Sequence, residues 1–225
     1  SVLGTFALSL CLVGLSVVTP TEVHAETYVG GQFGVTFPQA LSKVTLTGAT
    51  VTSGTTTSDR DLQKSLVAGL KVGHYYETYR WFGLEAEVFH TSPHIKQGSL
   101  TTNEPGVGST TTNEAGERLG VTAFAFNFLF RYPGEYFQPY IGIGPAVFRV
   151  RNTLSDSGIT ETLTSTSPGV NAEVGLRYLV TRHLALFGEW KFNYTQIRIK
   201  ETSNFTGQNS IYQAQMFVFG IGYHF

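Results

Sequence analysis

Gln215-Met216-Phe217-Val218-Phe219-Gly220-Ile221-Gly222-Tyr223-His224-Phe225 alternates with a period of two. Phe217, Phe219, Ile221, Tyr223 and Phe225 fall on one face of a strand, opposite smaller or polar residues. Chain ends in water usually fray, so an aromatic terminal strand calls for an apolar solvent. In a bilayer every backbone N–H and C=O must find its partner within the protein. A strand there has to join a closed barrel and turn its apolar side chains outward to lipid.

Seven further segments repeat this period. The predicted strands are about Thr27–Phe37, Ser65–Tyr75, Trp81–Thr91, Leu119–Tyr132, Gln138–Val150, Gly169–Leu179, Leu184–Lys200 and Ile211–Phe225. In the fourth, Phe124, Phe126, Phe128 and Phe130 oppose Ala123, Ala125, Asn127 and Arg131. In the seventh, Leu186, Trp190, Phe192 and Tyr194 oppose Glu189, Lys191 and Asn193. Each segment has roughly the ten residues that a tilted strand needs to cross a bilayer, more than the usual strand of a soluble protein.

The connections alternate in length. Long polar ones span about Pro38–Lys64, Ser92–Arg118, Arg151–Pro168 and Glu201–Ser210; short ones fall near Tyr76–Arg80, Pro133–Phe137 and Val180–His183. Eight strands with both termini on one side give four long loops and three short turns, an asymmetry that a soluble sandwich has no reason to show. The fold class predicted is all-β, an eight-stranded antiparallel up-and-down transmembrane β-barrel with short periplasmic turns and long extracellular loops. Aromatics gather at the short-turn end (Tyr75, Tyr76, Tyr79, Trp81, Tyr132, Tyr136, Phe137, Tyr140, Tyr178, Tyr223 and Phe225), as expected of a girdle at headgroup level. In the second long loop Thr101-Thr102-Asn103-Glu104-Pro105-Gly106 is echoed by Thr111-Thr112-Asn113-Glu114-Ala115-Gly116, which reads as a tandem slip in a solvated segment.

Val2–Val18 is an apolar run, followed by the small-x-small triplet Val23-His24-Ala25. This is a signal-peptide pattern over residues 1–25, with cleavage expected between Ala25 and Glu26 and the barrel domain over 26–225. No Lys or Arg precedes the run, so a basic n-region is expected upstream of Ser1. Cys11 lies in the run after Leu10, which does not suit a lipoprotein anchor, and the mature chain then has no cysteine and no disulfide. After Ala25 every apolar run is interrupted by charge, Gly or Asn, so no spanning helix is expected. Fifteen basic and sixteen acidic residues without a basic run argue against a nucleic-acid partner.

With its aromatic C-terminal strand, signal peptide, four long loops and Gly-alternating stretches such as Pro139-Tyr140-Ile141-Gly142-Ile143-Gly144, the chain resembles the eight-stranded bacterial outer-membrane β-barrel family. That family includes OmpA-type transmembrane domains, OmpX-like proteins and the opacity-type porin superfamily. The resemblance implies a monomer exported through the periplasm into the outer membrane, in contact with lipid and lipopolysaccharide. It also implies recognition of the C-terminal strand by the barrel-assembly machinery and a surface ligand held by the loops. The peptidoglycan-binding domain of full-length OmpA-type proteins is not expected here, nor a role in tethering the cell wall.

An eight-stranded barrel is just narrow enough to be filled by side chains. The predicted inward charges are Lys71, Glu85, Glu87, Arg131, Glu173, Arg177, Glu189 and Lys191, four acids and four bases that nearly cancel, as buried charges must. The expected arrangement is a salt-bridge network that plugs the lumen. Partner switching within it would instead give a narrow gated pore for ions or small solutes. Glu85 and Glu87 share a face, but the lumen leaves no substrate cleft.

His90 and His94 are spaced as a metal pair only on a helix, so they read as interface residues, as do His183 and His224. A lipid A-modifying enzyme would need a histidine, a serine and a carboxylate near the outer leaflet, for which His90, Ser92 and Glu114 or Glu117 are the candidates. No phosphate loop, Cys/His cluster or dinucleotide fingerprint is present, so no cofactor, metal or catalytic residue is assigned, and no enzyme activity. N-terminal sequencing of the folded outer-membrane form is expected to start at Glu26.

Overall fold

The computed structural model describes residues 26–47, 51–96, 98–114, 117–156, 159–199 and 207–225. The segment read as a signal peptide, 1–25, lies outside these residues. Thirteen strands are described: β1 (Glu26–Pro38), β2 (Ser42–Thr47), β3 (Thr56–Thr57), β4 (Ser65–Tyr75), β5 (Phe82–Thr91), β6 (His94–Ile95), β7 (Gly98–Glu104), β8 (Gly108–Glu114), β9 (Glu117–Arg131), β10 (Phe137–Asp156), β11 (Ile159–Leu179), β12 (Leu184–Ile199) and β13 (Gly207–His224).

Eight of them form the barrel, in the order β1-β4-β5-β9-β10-β11-β12-β13, every neighbour antiparallel. β13 closes on β1 from Tyr28↔His224 to Pro38↔Ala214, so the aromatic terminal strand is the seam. The lipid-facing side chains are those that the period of two assigns outward. Phe33, Leu70, Phe124, Ile141 and Phe219 are all exposed, while their chain neighbours Gln32, Lys71, Ala123 and Tyr140 are buried. An apolar exterior around a mixed interior is stable only where the surrounding solvent is hydrocarbon.

The strands outrun the bilayer at the long-loop end, which corrects the sequence reading. The predicted loop Arg151–Pro168 is mostly hairpin: β10 and β11 pair from Phe137↔Tyr178 out to Asp156↔Ile159. β7 and β8 form a second hairpin within Ser92–Arg118, and the echoed segments face each other in it, with Thr101 opposite Thr111. β2 continues the seam on β13, and β3 and β7 extend the same sheet outward. These Thr-rich segments carry β-branched residues suited to a pleated ladder, and the barrel rim supplies strand edges on which they can pair.

The aromatic girdle is real at Tyr76, Tyr79, Trp81, Tyr132, Tyr136, Phe137, Tyr178, Tyr223 and Phe225, all exposed. Tyr75 and Tyr140, assigned to it from sequence, are buried at 1% and 4% exposure because they share the inward parity of Lys71 and Gly142.

One point of the wall is pinched. β10 pairs with β9 up to Ile143↔Phe128 and resumes at Ala146↔Ala125, and between them lie Gly144 and Pro145, the latter without an N–H to give. A Cβ on Gly144 would fall 1.8 Å from the Phe126 carbonyl oxygen and 2.9 Å from Asn127 Cα, backbone that has nowhere to go. Gly144→Ala is therefore expected to lower the barrel's unfolding free energy by about 1–3 kcal/mol. Tryptophan fluorescence against urea, with heat-dependent gel mobility as the check on folding, measures it.

Candidate functional site

The lumen is the candidate site, and it is filled in three levels. At the short-turn end, Glu26 receives Arg131 at 2.5 Å and Arg177 at 3.7 Å, with the His224 ring at 2.7 Å. The guanidinium of Arg131 lies 3.6 Å over the Tyr75 ring and that of Arg177 lies 4.2 Å over Tyr28, so planar cations are sandwiched by aromatic faces. Arg131 also donates to the Arg80 carbonyl at 2.9 Å and to Gln138 at 3.0 Å. His224, read from sequence as interfacial, is buried here at 2% exposure, on the inward parity of Gly222 and Gly220.

The middle level brings six of the eight predicted charges together. Lys71 Nζ reaches Glu189 at 2.5 Å and Glu85 at 3.2 Å, with Glu87 at 3.7 Å. Lys191 Nζ binds Glu87 and lies 3.0 Å from Glu173 and 3.1 Å from Glu189. Tyr28 donates to Glu85 at 2.5 Å and Tyr140 donates to Glu189. All six charged side chains are almost wholly buried. Arg131 and Arg177 do not join them; they lie one level below, on Glu26, which the sequence reading did not single out. The signal was available, since Glu26 shares the parity of Tyr28 and Gln32.

The outer level is apolar. Val67, Phe89, Val121, Phe148, Tyr212 and Met216 point inward, and Leu41, Val44, Leu62 and Ile95 from the segments above the rim pack into the same cluster. This stopper was not foreseen, although its barrel members have the inward parity of the charges below them. Its roof comes from segments read as solvated loop, so sequence distance hid the contact.

Chemically, this interior is a stack of salt bridges beneath an apolar cluster. Each carboxylate of the middle level faces a lysine, and apolar side chains separate that level from the long-loop end.

A family model for the outer membrane protein beta-barrel domain matches residues 7–225. The chain belongs to this family. Membership places it in the outer membrane. Comparison with curated proteins returns no match. Among solved structures, it is similar to the outer membrane protein OprG from Pseudomonas aeruginosa, with 16% identity, 89% of this chain and 96% of that chain covered, and a TM-score of 0.57. Neisserial surface protein A is similar at 14% identity, with 88% and 97% covered and a TM-score of 0.55. So is a major outer membrane protein from Thermus thermophilus, at 14% identity, 90% and 100% covered, and a TM-score of 0.53. At these identities the likeness is one of fold.

In this family member the histidines at the outer end are exposed. His90 Nε2 meets the Ser92 hydroxyl at 3.0 Å, but Nδ1 meets the Thr122 hydroxyl at 2.9 Å, where a hydrolytic triad would place a carboxylate. The side chains of Glu114 and Glu117 lie outside the described residues. His183 is interfacial, its Nδ1 3.0 Å from the His224 carbonyl oxygen and its ring against Tyr223.

Removing one member of a buried ion network leaves its partners charged and unpaired. Lys191→Met is expected to lower the unfolding free energy by on the order of 3–5 kcal/mol, since it strips three carboxylates of a cation. Arg177→Ala should cost less, because Arg131 and His224 still face Glu26. Urea titrations of both variants in lipid vesicles give the comparison.

Proposed function

We propose that this protein is a monomeric, non-enzymatic barrel that acts in envelope integrity and surface contact through its extracellular end, its lumen serving as a rigid plug. The observation that carries this reading is the closure of the lumen by two unlike fillings. A salt-bridge network occupies the middle level, and an apolar cluster roofed by Leu41, Val44, Leu62 and Ile95 lies above it. A gated pore would need both to part. One would break ion pairs in low dielectric and the other would wet apolar surface, and the two costs add.

The outer end is built to present surface. β10 and β11 run 20 and 21 residues, well past the membrane, and the β7–β8 hairpin carries exposed Thr, Ser and Asn. These groups suit lipopolysaccharide headgroups or a polar surface of another cell. Export through the periplasm, with insertion guided by the β13 aromatics, completes the reading.

Single-channel recording of the folded barrel in a planar lipid bilayer is expected to show no conductance steps; stable steps altered by Lys191→Met would make the lumen a pathway instead. Replacing Gly98–Glu114 with a short Gly-Ser linker should leave the urea midpoint unchanged while abolishing adhesion of expressing cells to host-cell or abiotic surfaces.

A further inference from the structure

On its outward face the wall turns from apolar to polar along one row. Val88, Phe124, Val147 and Pro168 give way, two residues nearer the outer end, to His90, Thr122, Arg149 and Thr166. The pairings His90↔Thr122, Thr122↔Arg149 and Arg149↔Thr166 set these four side by side. Such a change of polarity marks the headgroup level of the outer leaflet. Arg149 and Arg151 of β10 and Arg198 of β12 are exposed at or above this row. No carboxylate among the described residues pairs with any of the three, whereas Lys96, in the segments above the rim, faces Asp61 at 3.8 Å.

A groove of about 480 Å³ opens on the same wall between β11 and β12. Pro168, Val170 and Tyr194 line its membrane side, and Thr166, Gln196 and Arg198 line its outer side. The groove has a backbone cause. The β11–β12 ladder ends at Gly169↔Thr195, next to Pro168, which has no N–H to give. Beyond that point β11 stays with β10 as far as Asp156↔Ile159, and β12 stays with β13 as far as Ile199↔Gln208, so two hairpins part. Side-chain bonds cross the gap instead: the Thr195 hydroxyl donates to the Pro168 carbonyl at 2.9 Å, and the Ser165 hydroxyl to the Arg198 carbonyl at 2.6 Å. The result is an apolar floor at acyl-chain depth under a polar, cationic rim. A soluble polyanion would leave that floor uncovered, and hydrocarbon alone would leave the guanidiniums unmatched.

We propose that the β11–β12 groove binds the phosphorylated glycolipid of the outer leaflet, lipid A, with an acyl chain over Val170 and its two phosphates on Arg198 and Arg149. Guanidinium matches phosphate with two parallel hydrogen bonds, which an ammonium cannot do. β10 and β12 stand two strand spacings apart, about 10 Å, so their arginines suit two anionic groups on one headgroup better than a single shared phosphate. Thr166 lies between them and offers its hydroxyl to the sugar, and Arg151, paired with Thr164 one step further out, adds to the positive field. This site is on the membrane-facing wall, apart from the β7–β8 hairpin, so the surface-contact reading neither requires it nor falls with it.

The test is native mass spectrometry of the folded barrel in detergent micelles, titrated with bisphosphoryl lipid A. Expected are one lipid per barrel and an affinity reduced about 10- to 30-fold when Arg149→Gln and Arg198→Gln are combined. Both side chains face outward, so heat-dependent gel mobility should show the variant folded. Monophosphoryl lipid A should bind more weakly than the bisphosphoryl form, and phosphatidylglycerol should displace it only in large excess. The control variant combines Lys64→Gln with Lys96→Gln, which removes two exposed cations outside the groove and should leave the affinity unchanged. An equal loss in the control would overturn the proposal, by reducing the effect to net surface charge. Undiminished binding by the arginine variant would overturn it as well. So would equal affinity for fully deacylated lipid A, which would make the groove a site for soluble polyanions.

Discussion

The structure depends on one constraint: in hydrocarbon no backbone hydrogen-bonding group can be left unpaired. β1 and β13 would be open edges if they did not meet, and the eleven-residue register from Tyr28↔His224 to Pro38↔Ala214 removes both. Closure with eight strands fixes the size of the cylinder, and that size leaves room for side chains rather than water. The alternation of exposed and buried residues along every strand follows, because each residue must face either lipid or a crowded interior.

Filling that interior is then a packing problem with two solvents at its ends. Toward the short turns, Tyr28, Tyr75 and Tyr140 bridge from wall to charge, each offering a ring to a guanidinium or a hydroxyl to a carboxylate. Small residues opposite make room for them: a Cβ on Gly73 would fall 2.4 Å from the Tyr28 ring. Higher up, the inward positions turn to Val, Ala, Phe and Met, and the segments above the rim contribute the roof. Buried ion pairs add little net stability over apolar filling, but they are costly to break singly.

The strands were legible from the sequence because a period of two survives in every one of them. Ser65–Tyr75 coincides with β4, whereas β10 and β11 extend well beyond their predicted ends. The errors lie where polarity was taken for solvated loop. Thr-rich segments at the outer end look like solvated loop, yet they pair once a rim offers edges. Tyr75, Tyr140 and His224 were misplaced for a related reason: aromatic character at a strand end suggested the headgroup level, although their parity pointed into the barrel.

Parity alone determined which residues face inward, since successive side chains of a strand leave opposite sides of the sheet. It picked out the charges of the middle level and the aromatic seam without any knowledge of pairing. Only the closed tertiary structure decided who meets whom. Lys191 lies 104 residues from Glu87 and Lys71 lies 118 from Glu189, and closing the cylinder brings each pair across the lumen. The apolar stopper depends on the same step, because Leu41 and Ile95 reach the cluster only after the strands beneath them have been set in register. A local period records the direction of each side chain, but contact across a barrel depends on strand order and stagger, which no local stretch of sequence contains.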